Sequence, residues 1–430
     1  MPPFSVSKTL ILTSILVLPA FSNTLGTGPC FPELKFAVGN WPQSISLGDL
    51  DGDGDLDMAV ANGISDDMSV LLNNGDGTFA TQTRFPAGDA PTSVSLGDLD
   101  GDGDLDMVVA NNRGGETSVL LNNGDGTFAT QTHFAAGVRP KSISLGDLDG
   151  DGDLDMVVAN WSSDDMSVLL NNGDGTFATQ TRFPAGRSPT SLSLGDLDGD
   201  GDLDMAVANF SGGDTSVLLN HGDGTFATQP RIPAGNWPKS LSLGDLDGDG
   251  DLDMAVANNS SSSNNTSVLL NNGDGTFVTQ TRFAAGYLPQ SLSLGDLDGD
   301  GDLDMAVANG NSDDVSVLLN NGDGTFATQT RFAAGDAPRS LSLGDLDGDG
   351  DLDMVVTNVL SEDTSVLHNL CSQTACGADL NQDGSLDFYD VSAFFGAFST
   401  QDPIADFTND GNFNFFDVFA FMSAFNAGCP

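Results

Sequence analysis

Short apolar runs separated by turn-forming residues recur along this chain from about residue 44 to about residue 370. In the first cycle the pattern predicts four β segments, Ser44–Leu47, Met58–Asn62, Ser69–Leu72 and Phe79–Phe85. Met58-Ala-Val-Ala61 and Val70-Leu-Leu72 are continuously apolar, as expected of strands covered on both faces. Phe79–Phe85 is Thr-rich and partly alternating, which suits an outer strand with an exposed edge. No window shows helical periodicity before about residue 388.

The cycle repeats seven times. Its marker is the decapeptide Gly48-Asp-Leu-Asp-Gly-Asp-Gly-Asp-Leu-Asp57, whose first Asp is residue 49, 98, 147, 196, 245, 296 and 345 in successive copies. Four strands per unit and seven units predict a mainly β fold, a seven-bladed β-propeller with four-stranded blades. A β-solenoid is the alternative, but its coils are usually about half this length. Cys30–Gly39 aligns with the fourth strand of a repeat (Phe79–Gly88), and the last repeat stops after its third strand, Ser365–Leu370. The N-terminal segment is therefore expected to supply the missing outer strand of the last blade. In this alignment Cys30 and Cys371 bracket the place of the Asn74-Gly-Asp-Gly77 turn, so a Cys30–Cys371 disulfide is expected there. Four cysteines allow three pairings. The expected partner bond, Cys376–Cys429, brackets the C-terminal segment.

Residues 1–22 read as a secretory signal peptide, with Lys8, an apolar stretch Leu10–Ala20 and a small-x-small site at Ala20-Phe21-Ser22. The expected layout is this peptide, a propeller over 30–371 and a small α-helical calcium-binding module over 376–429. The expected location is extracellular, at the cell surface or free, and no stretch is apolar and long enough to span a membrane. The formal charge is −49, with 62 acidic residues against 13 Lys and Arg. That excess opposes binding to nucleic acid or anionic membranes.

Much of the charge sits in the repeated loops, and this suggests metal. The candidate ligands are Asp49, Asp51, Asp53, Asp55 and Asp57; Asp98, Asp100, Asp102, Asp104 and Asp106; Asp147, Asp149, Asp151, Asp153 and Asp155; Asp196, Asp198, Asp200, Asp202 and Asp204; Asp245, Asp247, Asp249, Asp251 and Asp253; Asp296, Asp298, Asp300, Asp302 and Asp304; and Asp345, Asp347, Asp349, Asp351 and Asp353. Acidic residues at loop positions 1, 3, 5 and 9 converge, Gly at position 6 permits the sharp turn, and position 7 offers its carbonyl. Such a set of hard oxygens suits Ca²⁺. About seven ions are expected in the propeller, all structural. The motifs Asp-x-Asp-x-Asp-Gly-x-x-Asp and Asn-Asn-Gly-Asp-Gly-Thr-Phe resemble the FG-GAP/VCBS repeat, found in the integrin α-subunit propeller. The resemblance spans about residues 31–370. It implies calcium on one face of the propeller and partners on the other.

Strand alternation supports two faces independently. The 1–2 and 3–4 turns are nearly invariant, whereas the 2–3 and 4–1 turns vary. The variable turns carry Trp41, Arg113, Arg139, Lys141, Trp161, Arg187, Trp237, Lys239, Tyr287 and Arg339. Aromatic and basic groups of this kind suit recognition of a glycan or an extracellular protein. The repeated Arg84, Arg182, Arg282 and Arg331 read as outer-strand surface residues.

Near the C-terminus, Asp379, Asn381, Asp383, Ser385, Asp387 and Asp390 occupy the ligand positions of an EF-hand-like loop. Asp406, Thr408, Asp410, Asn412, Asn414 and Asp417 repeat the pattern. An apolar helical face follows each loop: Val391, Phe394, Phe395 and Phe398, then Val418, Phe421, Met422 and Phe425. The duplication resembles a type I dockerin, which implies up to two more Ca²⁺ and a cohesin-like anchoring partner. Positions 10 and 11 depart from that pattern, being Phe388-Tyr389 and Phe415-Phe416.

The functional expectation is a secreted, calcium-bound propeller that binds a glycan or surface protein, or serves adhesion, and is attached through its tail. Two alternatives remain, a carbohydrate-active enzyme of the polysaccharide-lyase kind and a purely structural matrix component. Against catalysis, His133, His221 and His368 fall in different repeats and none lies in a variable turn.

Overall fold

The computed structural model describes residues 31–262, 264–369, 380, 388–400, 403–405, 407 and 413–427. The expected signal peptide, Cys30, Cys371, Cys376, Cys429 and both expected disulfides lie outside them. So do Asp379, Asn381, Asp383, Ser385, Asp387, Asp406, Thr408, Asp410 and Asn412.

Seven antiparallel sheets form the seven blades of a propeller. Six are built from consecutive strands, as in Pro42–Gly48, Asp57–Asn62, Asp67–Leu71 and Thr83–Pro86 of the first blade. The seventh takes its outer strand, Glu33–Ala37, from the N-terminal end and pairs it with Asp363–Leu367. Phe36 lies opposite Thr364 as Phe85 lies opposite Met68, so the register is that of a fourth strand, as the alignment predicts. Phe31 then packs edge-on against Phe332, at 4.9 Å between ring centroids, the place a Gly-Thr-Phe phenylalanine takes in other seams.

The core lies between blades. Every second strand is buried along its whole length, so its two faces serve two neighbours. The small Ala59 and Ala61 of the first blade meet Met107 and Val109 of the second, large against small. At the rim, a phenylalanine of the outer strand packs edge-to-face on the Gly-Thr-Phe ring of the next blade at five seams, as Phe85 does on Phe128, while the fourth blade has Ile232 in that place.

The outer strands are shorter than the sequence predicts. In the first blade the ladder begins at Thr83, and Phe79 makes only an isolated bridge to Asn73. Gln82 between them accepts the Ser69 hydroxyl with its side chain. In the fourth blade the outer strand splits into Phe226–Thr228 and Ile232–Pro233. Pro230 stands there where other repeats have Thr, and it has no N–H for the ladder. A cleft of about 340 Å³ opens between this split strand and residues 275–280.

Two helices, α1 (Phe388–Thr400) and α2 (Phe415–Ala427), form the C-terminal element. Phe394 and Phe421 stack at 4.1 Å between centroids and are fully buried, with Phe398, Phe407 and Phe425 around them. The predicted apolar faces need one correction each. Phe395 and Met422 are about half exposed, so only the i, i+3, i+7 positions reach the core. No helix among the described residues is long and apolar enough to cross a membrane.

Candidate metal loops and the variable face

Each Asp loop joins the first and second strands of a blade, and its backbone is fixed by its own carboxylates. Asp49 accepts from the N–H of Gly52 at 2.8 Å and of Gly54 at 3.1 Å, and Asp53 accepts from Asp55. Gly52 and Gly54 have φ of 78° and 98°, which only glycine adopts without strain. Asp57 is fully buried and takes the N–H groups of Leu50 and Asn73 at 2.8 and 2.7 Å. The Asp55 carboxylate faces Gly75 in the neighbouring 3–4 turn, where a Cβ would sit 2.7 Å from Oδ2.

The carboxylates converge. Oxygens of positions 1, 3 and 9 lie within 4.8 Å of one another in the second, third and fourth loops. In the first loop the three are Asp49, Asp51 and Asp53. The position-3 carboxylates Asp51, Asp100, Asp149, Asp198 and Asp247 each keep one buried oxygen with no hydrogen-bond partner. Burial raises the position-9 pKa to about 6 in Asp57, against the two N–H bonds and with Asp51 and Asp53 adding to the rise; in Asp304 it reaches about 7. Crowded, partly desolvated carboxylates with an unsatisfied inward oxygen fit a hard divalent cation. Positions 1, 3, 5 and 9 of each loop could hold one. The seventh loop differs, because His368 stands where Leu72 stands in the first repeat. Its Nδ1 lies 3.5 Å from Asp347 and 3.4 Å from Asp353.

In the C-terminal element Asp390 and Asp417 are buried. Asp390 accepts the N–H of Leu380, and Asp417 accepts the N–H of Asn414 in a capping arrangement at the start of α2.

The opposite face is built from the 2–3 and 4–1 turns, which brace each other. The first residue after each second strand donates to the residue before the proline that opens the first strand of the same blade, as Trp161 does to Arg139 and Phe210 to Ser188. All seven residues before those prolines have positive φ, among them Trp41 at 63°, Arg139 at 60° and Trp237 at 58°. None is glycine, and pre-proline residues ordinarily stay extended, so this ring is strained and rigidly held.

Trp161 and Phe210 have ring centroids 5.2 Å apart, and Phe210 stacks on Trp237 at 5.7 Å with planes 17° apart. Three blades thus contribute to one aromatic row, with Lys239 Nζ 5.9 Å from the Phe210 centroid. Phe210 was not among the predicted residues, although it occupies the same turn position as Trp161. Trp41 and Tyr287 are exposed at other points of the face. Arg113 pairs loosely with Asp89, and Arg139 and Arg187 are exposed. Arg84, Arg182 and Arg331 pair with Asp67, Asp165 and Asp314 on the rim.

Lys141, Lys239 and Arg339 need relocation. They are not on the turns but are the second residues of inner strands, and the inner strands surround the axis. With Gln43, Thr92, Thr190 and Gln290 they line a cavity of about 150 Å³ at the variable-face end of the central channel.

A family model for the FG-GAP-like repeat matches six overlapping spans, 49–109, 98–158, 147–207, 196–256, 245–307 and 296–356. The chain belongs to the FG-GAP-like repeat family. Each span of this repeat runs from one Asp loop into the strand after the next. No curated protein matches the chain significantly. Among solved structures, an Agrocybe aegerita lectin that recognises non-reducing terminal N-acetylglucosamine is 23% identical, covering 71% of this chain and 90% of its own, with a TM-score of 0.51. BBS1N, solved in complex with ARL6DN, is 12% identical over 79% of this chain and 97% of its own, with a TM-score of 0.57. A virginiamycin B lyase from Staphylococcus aureus, solved with quinupristin, is 10% identical over 78% and 99%, with a TM-score of 0.52. At these identities the likeness is one of fold.

Proposed function

We propose that this FG-GAP-like propeller is a secreted, calcium-bound binding module that recognises a glycan through its variable face. The observation that carries the reading is the Trp161–Phe210–Trp237 row, mounted on mutually braced turns beside Lys239. Flat rings held in place without further ordering suit the apolar faces of sugars, and the nearby polar and basic groups suit their hydroxyls and acidic substituents. The lectin of similar fold lends support, since its propeller recognises a sugar end.

Calcium has a structural part in this reading. Seven ions, one per Asp loop, offset the crowded carboxylates and fix the turns of the face opposite the ligand. The C-terminal pair of helices serves attachment, with Tyr389, Phe415 and Phe419 exposed as its apolar contacts. A glycan array screened with the full chain, in calcium and in chelator, tests the proposal. Binding that is saturable in calcium and falls at least tenfold in Trp161→Ala and Trp237→Ala supports it. A blank array from folded protein, or hits indifferent to both substitutions, overturns it.

A further inference from the structure

The chain has 13 Lys and Arg among 62 acidic residues, yet three of those cations line one cavity of about 150 Å³. Among the described residues no carboxylate lines it. We propose that this mouth of the central channel is a binding site for one compact oxyanion of the sulfate or phosphate kind, arriving free or as the end group of an acidic glycan. Only the second source rests on the glycan reading above.

The seven-fold repeat makes the site. Lys141, Lys239 and Arg339 stand at the same place in the inner strands of the third, fifth and seventh blades, so the cations alternate with neutral residues around the axis. Each is partly open to the lumen and otherwise surrounded by protein. Neither lysine has a hydrogen bond or ion pair among the described residues; Lys239 has only the Phe210 ring nearby. Arg339 is oriented by neutral acceptors, Gln290 Oε1 at 2.7 Å and Gln43 Oε1 at 3.3 Å. The Gln43 Nε2 donor is buried with no acceptor.

This arrangement is costly without an anion. Burial pushes Lys141 down to about 7, helped by repulsion from Arg339 and Arg139, and burial likewise holds Lys239 well below the ordinary lysine range. Cations that only balanced the Asp loops would be placed beside them, but those loops lie at the other end of the inner strands, about 20 Å away at ~3.3 Å per residue. An oxyanion among the three would give both ammoniums, the guanidinium and the Gln43 amide a shared acceptor. The cavity is smaller than the about 300 Å³ of ordinary organic-ligand sites, which favours a single small group over a sugar chain.

The test is calorimetric titration of the calcium-loaded full chain with sodium sulfate, and then with a sulfated hexasaccharide and its desulfated counterpart. Saturable sulfate binding that weakens at least tenfold in Lys141→Gln/Lys239→Gln, and again in Arg339→Gln, is expected. The double variant without sulfate should melt no lower than the parent, since it loses two unpaired ammoniums. Tighter binding of the sulfated than the desulfated sugar assigns the anion to a glycan end group; equal binding of the two, with sulfate still bound, assigns it to the free ion. Absence of saturable sulfate binding by the parent, or unchanged binding by folded variants, overturns the site. Should the variants fail to fold, a sulfate-specific rise in the parent's melting temperature over chloride at equal ionic strength is expected, and its absence is equally decisive. Sulfate binding that survives Trp161→Ala/Trp237→Ala would stand even if the aromatic row bound no glycan.

Discussion

Asn73 donates from Nδ2 to the carbonyl oxygen of Leu346 at 2.8 Å, across the seam where the first blade meets the last. The same bond recurs at all seven seams, from Asn122 to Leu50 through to Asn369 to Leu297. Leu346 is the second residue of an Asp loop, and the Asn73 N–H is held by Asp57 of another. Each seam is therefore fastened to two candidate metal loops. Asn73→Ala leaves a buried carbonyl unsatisfied and should cost about 1–3 kcal/mol, read from urea unfolding in calcium. An unchanged midpoint would contradict the seam's role.

The same connection predicts how calcium acts. Ions binding only the folded loops stabilise by mass action, about 1 kcal/mol per site at millimolar calcium if each binds at ~10⁻⁴–10⁻³ M. Chelator should lower the melting temperature of the whole propeller, and Asp149→Ala should remove one ion from the stoichiometry without unfolding the rest. Melting indifferent to chelator would refute calcium as a structural element.

Lys141 sets a pH dependence. Its folded pKa lies near 7 because burial disfavours the ammonium, while in the unfolded chain it titrates near 10.5. Between those values the unfolded state holds the extra proton, so stability rises with pH; below about 7 the folded state must bury the charge. The Lys141→Met variant lacks this penalty. Its stability advantage over the parent should be greatest at pH 6 and shrink towards pH 9 in anion-poor buffer, as followed by calorimetry. A constant difference would mean that the ammonium is comfortably solvated.

Ala337 offers a backbone test, since its φ is 58° just before Pro338. Glycine relieves a left-handed conformation that costs other residues about 1–2 kcal/mol, against its own greater chain entropy. Ala337→Gly should stabilise by up to about 1 kcal/mol, where glycine usually destabilises. Chemical denaturation gives the sign directly.

Phe210 is the middle ring of its row and touches both tryptophans. Phe210→Ala should weaken glycan binding at least as much as Trp161→Ala, because it separates the two remaining rings. Parallel titrations of one array hit would show whether it does.

The repeat made the blades legible. A buried strand such as Asp57–Asn62 writes itself as an unbroken apolar run, and the Glu33–Ala37 closure could be read by aligning residues with Phe79–Gly88. The Asp loops could be read because carboxylate spacing within nine residues is local. What escaped depends on proximity around the ring. Lys141, Lys239 and Arg339 are about 100 or 200 residues apart, and only closure of the inner strands brings them together. Phe210 joined Trp161 and Trp237 for the same reason. Phe395 and Met422 satisfied helical spacing, but two thin helices meeting at Phe394 and Phe421 have core for only one stripe each.

The strand Glu33–Ala37 belongs to a blade whose other three strands begin at Pro338. A growing chain makes this segment first and its partner edge last. Until residues 363–367 have been made the first strand has nothing to pair with, and the ring stays open with two unguarded edges. Closing it requires a loop of about 330 residues, the kind of long-range contact that makes folding slow. The final pairing is thus a step that no partial chain ending before Asp363–Leu367 can take, whatever blades it has already formed.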